Sequence, residues 1–142
     1  MSGETSREEL VRRLNDALGW ELRAQIMYAH YAAYVQGIYR LHLKPYFEGE
    51  ATESVGHATV VRNEIVKLGG TARTERDKTE ILHTSDYQVM LQESLKTEKR
   101  AAEAYKEFLA LPGLDSELFD AVEQIYFQEE RSVDELNQLL AS

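Results

Sequence analysis

The chain contains no cysteine. That removes disulfides, thiolate metal sites and cysteine nucleophiles at once. Pro45 and Pro112 are its only prolines, and it has eight glycines in 142 residues, so regular backbone is rarely interrupted. No apolar run approaches the ~18 residues of a membrane-spanning helix, and no membrane association is expected. The opening Met1-Ser2-Gly3-Glu4-Thr5 lacks the apolar stretch of a signal peptide. A soluble cytoplasmic protein is the expectation. Positive charge is also scarce, with 16 Lys and Arg against 25 Asp and Glu and a net charge of −9. This argues against nucleic acid, whose binding is dominated by phosphate neutralisation.

What remains is helix-forming. Leu, Ala, Glu, Lys, Arg and Gln fill the stretches between breaks, which reads as all-α. The length suits one domain spanning 1–142, with residues 1–5 expected as a flexible tail. Ser6-x-x-Glu9 forms a capping box for a first helix running to about Gln36 and stopped by Gly37. A second helix is expected from Pro45 to Gly69-Gly70. Residues 71–84 read as a polar connection. A third helix starts near Ser85 and ends before Pro112-Gly113. The fourth starts at Asp115 or Ser116 and runs almost to the C-terminus.

Each segment carries an apolar stripe at three-and-four spacing. The rows are Leu10, Leu14, Ala17, Ala24, Tyr28, Ala32 and Val35; Phe47, Ala51, Ala58, Val61, Ile65 and Leu68; Leu91, Leu95, Ala102, Tyr105 and Leu109; and Leu118, Val122, Ile125, Leu136 and Leu139. Four such helices make a four-helix bundle. The first and last connections are short, so each joins an antiparallel hairpin. The middle segment spans roughly 45 Å when extended, at ~3.3 Å per residue. That is enough to run the length of the bundle and leave the second and third helices parallel.

Near the midpoint of each helix a polar residue interrupts the stripe: Glu21, His57, Glu98 and Glu129. Helix midpoints stay level whichever way the helices point, so these four are expected in one layer. Three carboxylates and an imidazole in a bundle core repel and desolvate one another. Coordination of a divalent or trivalent ion relieves both problems. The alternative is a proton-sharing network with internal water, or a buried Arg or Lys as counter-ion. Tyr28, Tyr31, Tyr34 and Tyr39 read as core and interface packing, with Tyr28 on the face of Glu21. His30 and His42 read as surface or interface residues, and His83 as a loop residue. There is no G-x-S-x-G element and no glycine-rich phosphate loop.

At these residues the chain resembles the ferritin-like superfamily, in particular bacterioferritin and shorter Dps-like relatives. The first helix reads Leu14-Asn15-x-x-Leu18-x-x-Glu21-x-x-Ala24-Gln25-x-x-Tyr28. The second reads Glu50-x-x-Glu53-x-x-x-His57-Ala58, followed by Ile65-Val66-x-Leu68-Gly69-Gly70. Met90-Leu91, Glu98 and Glu129-Glu130 complete the ordered set. The resemblance implies a ferritin-like four-helix bundle formed of two antiparallel hairpins joined by a long crossover. In such di-iron proteins two helices give one Glu each and two give Glu-x-x-His. Glu21 and Glu98 would be terminal carboxylates, Glu129 a bridging one, and His57 the histidine of the second helix.

Two positions depart from that pattern. Ser54 stands where a Glu is expected, and Ser132 where a His is expected. A hydroxyl is a poor iron ligand beside carboxylate or imidazole. Glu50 lies on the right face one turn away, and Glu53 is one residue off register, about 100° around the helix. The expected metal set is therefore Glu21, Glu50, Glu53, His57, Glu98 and Glu129, with Tyr28, Ser54, Tyr105 and Ser132 around it. Val55 stands where bacterioferritin-like chains carry the haem methionine, so no haem is expected.

The resemblance implies iron, or another divalent metal such as zinc or manganese, and a homo-oligomer of at least two chains. Two functions follow. One is an iron protein that oxidises Fe(II) at an altered di-metal site. The other is a bundle that has lost ferroxidase activity and serves as a mononuclear metal binder or assembly module.

Overall fold

The computed structural model describes residues 3–141. It contains four helices, α1 (Arg7–Tyr34), α2 (Arg40–Lys67), α3 (Tyr87–Leu109) and α4 (Ser116–Leu140), and no strand among the described residues. The chain is a four-helix bundle of two hairpins joined by a long crossover. α1 pairs most extensively with α2 and α3 with α4, while α2 and α4 touch only sparsely. The first two pairs are the hairpins, and the sparse pair leaves a seam.

The helix ends follow local chemistry. Ser6 accepts a hydrogen bond from the Glu9 amide, satisfying one of the orphan donors of the first turn. Glu9 does not complete the expected capping box; it turns to Arg12 and Arg13 instead. Those two cations hold its carboxyl down at about 2. Asp86 and Asp115 cap α3 and α4 through their side chains. Gly37 and Gly69, at φ of 91° and 78°, take the left-handed conformation that lets the chain leave α1 and α2.

The start of α2 corrects the sequence expectation. The helix begins at Arg40, so Pro45 lies inside it. A row of short bonds (Arg40 to Gly37, Leu41 to Ile38, His42 to Tyr39) winds the backbone before the proline is reached. The Arg40 guanidinium also donates to the carbonyls of Ala33 and Val35, 3.1 and 2.7 Å away. It caps the end of α1, which closes two residues earlier than expected.

The core has two apolar halves separated by a polar layer. One half gathers Leu14, Leu18, Val61, Ile65, Tyr105, Phe108 and Val122. The other gathers Met27, Tyr28, Tyr31, Phe47, Met90 and Leu136. Leu139, expected in the core, is 40% exposed, because it borders an open hollow between the end of α4 and the first turns of α2 and α3.

The crossover is a strap stitched to α1. Asn15 exchanges hydrogen bonds with Thr71 and Arg73. Arg23, only 3% exposed, donates to the carbonyls of Thr79 and Glu80 and to the Thr97 hydroxyl at 2.9, 2.7 and 2.8 Å. Tyr31 donates to the Leu82 carbonyl, and His30 Nε2 lies 2.9 Å from His83 Nδ1. At the N-terminal end the expected tail includes Met1 and Ser2, which lie outside the described residues. Thr5 is paired with the Pro112 carbonyl through both its amide and its hydroxyl.

Candidate metal centre

Glu21, His57, Glu98 and Glu129 are exposed by only 1%, 5%, 3% and 2%. Each sits in a row whose helical neighbours are apolar, so packing of those neighbours drags the polar group into the core. One ligand atom each from Glu21, His57 and Glu129 lie within 4.8 Å of one another. Two ligands on a common ion, with bonds of about 2.0–2.2 Å, are at most about 4.4 Å apart, so this trio is close to coordination distance.

His57 organises the cluster. Nδ1 lies 3.0 Å from Glu129 Oε1 and 3.4 Å from Glu21 Oε2. On its outer side Nε2 meets Gln128 Oε1. Both ring nitrogens therefore face acceptors, the arrangement of an imidazolium. Burial alone pulls His57 down, but the hydrogen bond and charge of Glu21, with Gln128 and Glu53, push it up to about 9. Glu129 is the nearer carboxylate, yet Glu21 supplies the charge, because Glu129 is the group that keeps a proton. Burial drives Glu129 well above the usual carboxylate range, with the charges of Glu21 and Glu98 adding to it. Glu98 is pushed up to about 7, by burial first and then by Glu21 and Glu50, while its bond to Glu129 opposes the rise.

Glu129 Oε2 and the Tyr28 hydroxyl meet no donor or acceptor other than carboxylate among the described residues; what faces them is the Glu98 carboxyl, which shares the Glu129 proton and accepts from Tyr28. By contrast Glu21 Oε2 is held by the Tyr105 hydroxyl at 2.7 Å. Burial, then the charge of Glu21, keeps Tyr105 protonated far above its ordinary range. The donor set of hard carboxylate oxygens and one imidazole, with a proton-sharing carboxyl pair among them that a cation would relieve, fits iron or another first-row divalent ion.

The remaining candidate residues lie at the rim. Ser54 and Ser132 are buried, 4% and 8% exposed. Ser132 Oγ lies 3.2 and 3.3 Å from Glu50 Oε1 and Glu53 Oε1, its one proton shared between the two acceptors. The hydroxyl standing where an imidazole was expected thus draws both α2 carboxylates across the seam toward α4. Burial and the neighbouring Glu53 raise Glu50 to about 7, against the Ser132 hydrogen bond. Neither Glu50, Glu53 nor Glu98 joins the close trio.

Sequence reasoning missed Gln128 and Arg23. Gln128 sits beside Glu129 on the shoulder of the α4 stripe, and nothing in a glutamine's neighbours marks it as a histidine partner. Arg23 is two residues from Glu21 and reads as a solvated position. Its burial depends on the crossover, whose path the local pattern does not specify.

With this geometry in place, comparison with known proteins becomes specific. A family model for the ferritin-like domain matches residues 11–142, and the chain belongs to that family. A crystal structure of a ferritin-like, diiron-carboxylate protein from Bacillus anthracis strain Ames is 33% identical, with a TM-score of 0.86, covering 99% of this chain and 100% of that one. A dodecameric thioferritin, the bacterioferritin-related protein of Bacteroides fragilis, is 26% identical, with a TM-score of 0.89, covering 97% of this chain and 88% of that one. No curated protein matches the chain.

Proposed function

We propose that the chain binds iron at Glu21, His57 and Glu129 with Glu98 beside them, and that Fe(II) is oxidised there for iron storage or protection from peroxide. The observation that carries this reading is the close buried trio of Glu21, His57 and Glu129. The likeness to a diiron-carboxylate protein supports the choice of iron. Iron as substrate would pass from Fe(II) to Fe(III), with dioxygen or peroxide accepting the electrons. The residues prepare for that change of charge. Tyr105 fixes one oxygen of Glu21. His57 Nδ1 and the Glu129 carboxyl hold protons that a cation displaces, so binding is coupled to proton release. The surrounding carboxylates favour the more highly charged Fe(III).

A second reading keeps metal binding and drops oxidation. It is favoured by Ser54 and Ser132, which leave one carboxylate and one imidazole fewer than a full di-iron set. Zinc or manganese suits the same donors, because first-row metals compete on geometry and availability.

Anaerobic Fe(II) titration with metal analysis tests both. The native chain should retain at least one iron, and Glu98→Ala and His57→Ala should bind at least ten-fold more weakly. Equal, negligible binding in all three sinks the metal reading. Tight binding with Fe(II) oxidation no faster than buffer selects the second.

The assembly is proposed as a homo-oligomer in the cytoplasm. The dodecameric relative supports self-association. So do Ile38 and Leu41, exposed by 82% and 78% and adjoining at the start of α2, since neighbouring exposed apolar side chains suit a contact face. No described helix is long and apolar enough to cross a membrane.

A further inference from the structure

The sparse α2–α4 seam opens as a groove of about 610 Å³, with His57 in its wall. On the α2 side it is lined by Gly49, Thr52, Glu53, Gly56 and His57, and on the α4 side by Gln128 among others. A second hollow of about 260 Å³ adjoins it, lined by Glu50, Glu53, Ser132 and Glu135, with Tyr46, Gln128 and Arg131. Glu53 and Gln128 border both.

Gly49 and Gly56 need an explanation. They lie seven residues apart, on one face of a 28-residue helix. Neither has a positive φ, and a Cβ built on either meets nothing within 4 Å. So neither turn geometry nor close packing requires glycine, although glycine weakens a helix interior. What their missing side chains do is keep the groove open beside His57.

We infer that the α2–α4 groove is the route by which a hydrated divalent cation reaches and leaves the buried cluster, with Glu53 as the transit carboxylate and Gln128 as the bolt across His57. This rests on the metal reading above. The groove has room for an ion with its water shell, which occupies about 200 Å³ at ~30 Å³ per water. Glu53 and Glu135, with Glu50 partly ionised near neutrality, outweigh the one cation of the rim, Arg131, and leave a net negative field that concentrates cations. Ser132 steadies Glu50 and Glu53 through the one proton they share. Gln128 accepts from the outer nitrogen of His57 and borders both hollows, so its side chain must swing aside before an ion can pass the imidazole to the Nδ1 side, where Glu21 and Glu129 lie.

The test separates rate from equilibrium. Co(II) alone is the probe, followed by visible absorbance after rapid anaerobic mixing. Doubly substituted Gly49→Leu, Gly56→Leu protein should take up Co(II) at least ten-fold more slowly, with stoichiometry and affinity unchanged. Gly56→Ala, too small to fill the groove, should keep the native rate. Gln128→Ala should load at least three-fold faster. A native rate in the leucine variant overturns the route and leaves the metal site standing. A loss of equilibrium binding in that variant also overturns it, since the groove would then be part of the site's packing. Failure of the native chain to bind any Co(II) removes the metal reading itself, and the route with it.

Discussion

His57 Nδ1 lies 3.0 Å from Glu129 Oε1, a contact that bridges α2 and α4 where their backbones hardly meet. A proton on His57 and another on Glu129 hold the bridge together. A bound cation would take the place of both, and that exchange sets the first expectation.

The metal-free protein should be more stable at pH 5 than at pH 8.5. His57 is raised to about 9, so its contribution is complete below about 6.5 and disappears as pH rises through 9. Glu50 and Glu98 are raised to about 7, so the folded state also binds more protons than the unfolded chain from about 4.5 upward. Where the native state binds one proton more than the unfolded chain, stability falls by up to about 1.4 kcal/mol for each unit that pH rises. Glu9, held at about 2, acts in the opposite sense and only on the acid side. Metal affinity should run the other way, rising with pH because protons are displaced. Urea midpoints and calorimetric affinities across pH 5–9 check both slopes.

Glu129→Gln should separate stability from function. The amide keeps the shape and removes a carboxyl whose ionised form is disfavoured by burial beside Glu21 and Glu98. The metal-free variant is expected to gain on the order of 1 kcal/mol at pH 8. Its metal affinity should fall at least ten-fold. Thermal melts with and without Co(II) measure the two effects together.

Arg23→Ala should loosen the crossover without touching the metal ligands. Its guanidinium is the donor for two strap carbonyls and for Thr97. The loss is expected to cost about 2–4 kcal/mol. Amide exchange should accelerate over residues 77–84 well before the helices. Unchanged protection there would show that Asn15, Tyr31 and His30 hold the strap unaided.

Ser54→Glu with Ser132→His restores the two Glu-x-x-His positions of the family pattern. Both serines are buried beside the layer, so the new groups arrive at the missing corners. Metal stoichiometry should rise to two ions per chain, with a metal-free stability loss of about 1–3 kcal/mol from overpacking and added buried charge. Metal analysis after anaerobic loading reads the stoichiometry.

How legible was this in the sequence? The four helices follow from residue-local facts: Ser6 and Asp115 as caps, Gly37 and Gly69 as stops, and stripes at helical spacing, while the third helix, expected from Ser85, is capped one residue on by Asp86. These work because capping and amphipathicity act within one or two turns. Glu21, His57, Glu98 and Glu129 stood out because a charged group inside an apolar row is locally anomalous. Pro45 misled, because the bonds that start α2 earlier are made by a turn with no strong residue signature.

By itself, then, the sequence determined the element order, the hairpin pairing imposed by connection lengths, and which side chains face inward. Only the tertiary structure decided which of the inward acids meet. Three ligand atoms converge to within 4.8 Å, while Glu50 and Glu53 are turned to Ser132 at the seam. The physical reason is range. Helix periodicity fixes a direction about one axis, but a coordination distance depends on the packing of several helices at once. The open α2–α4 groove, the bolt at Gln128 and the burial of Arg23 under the crossover all belong to that packing.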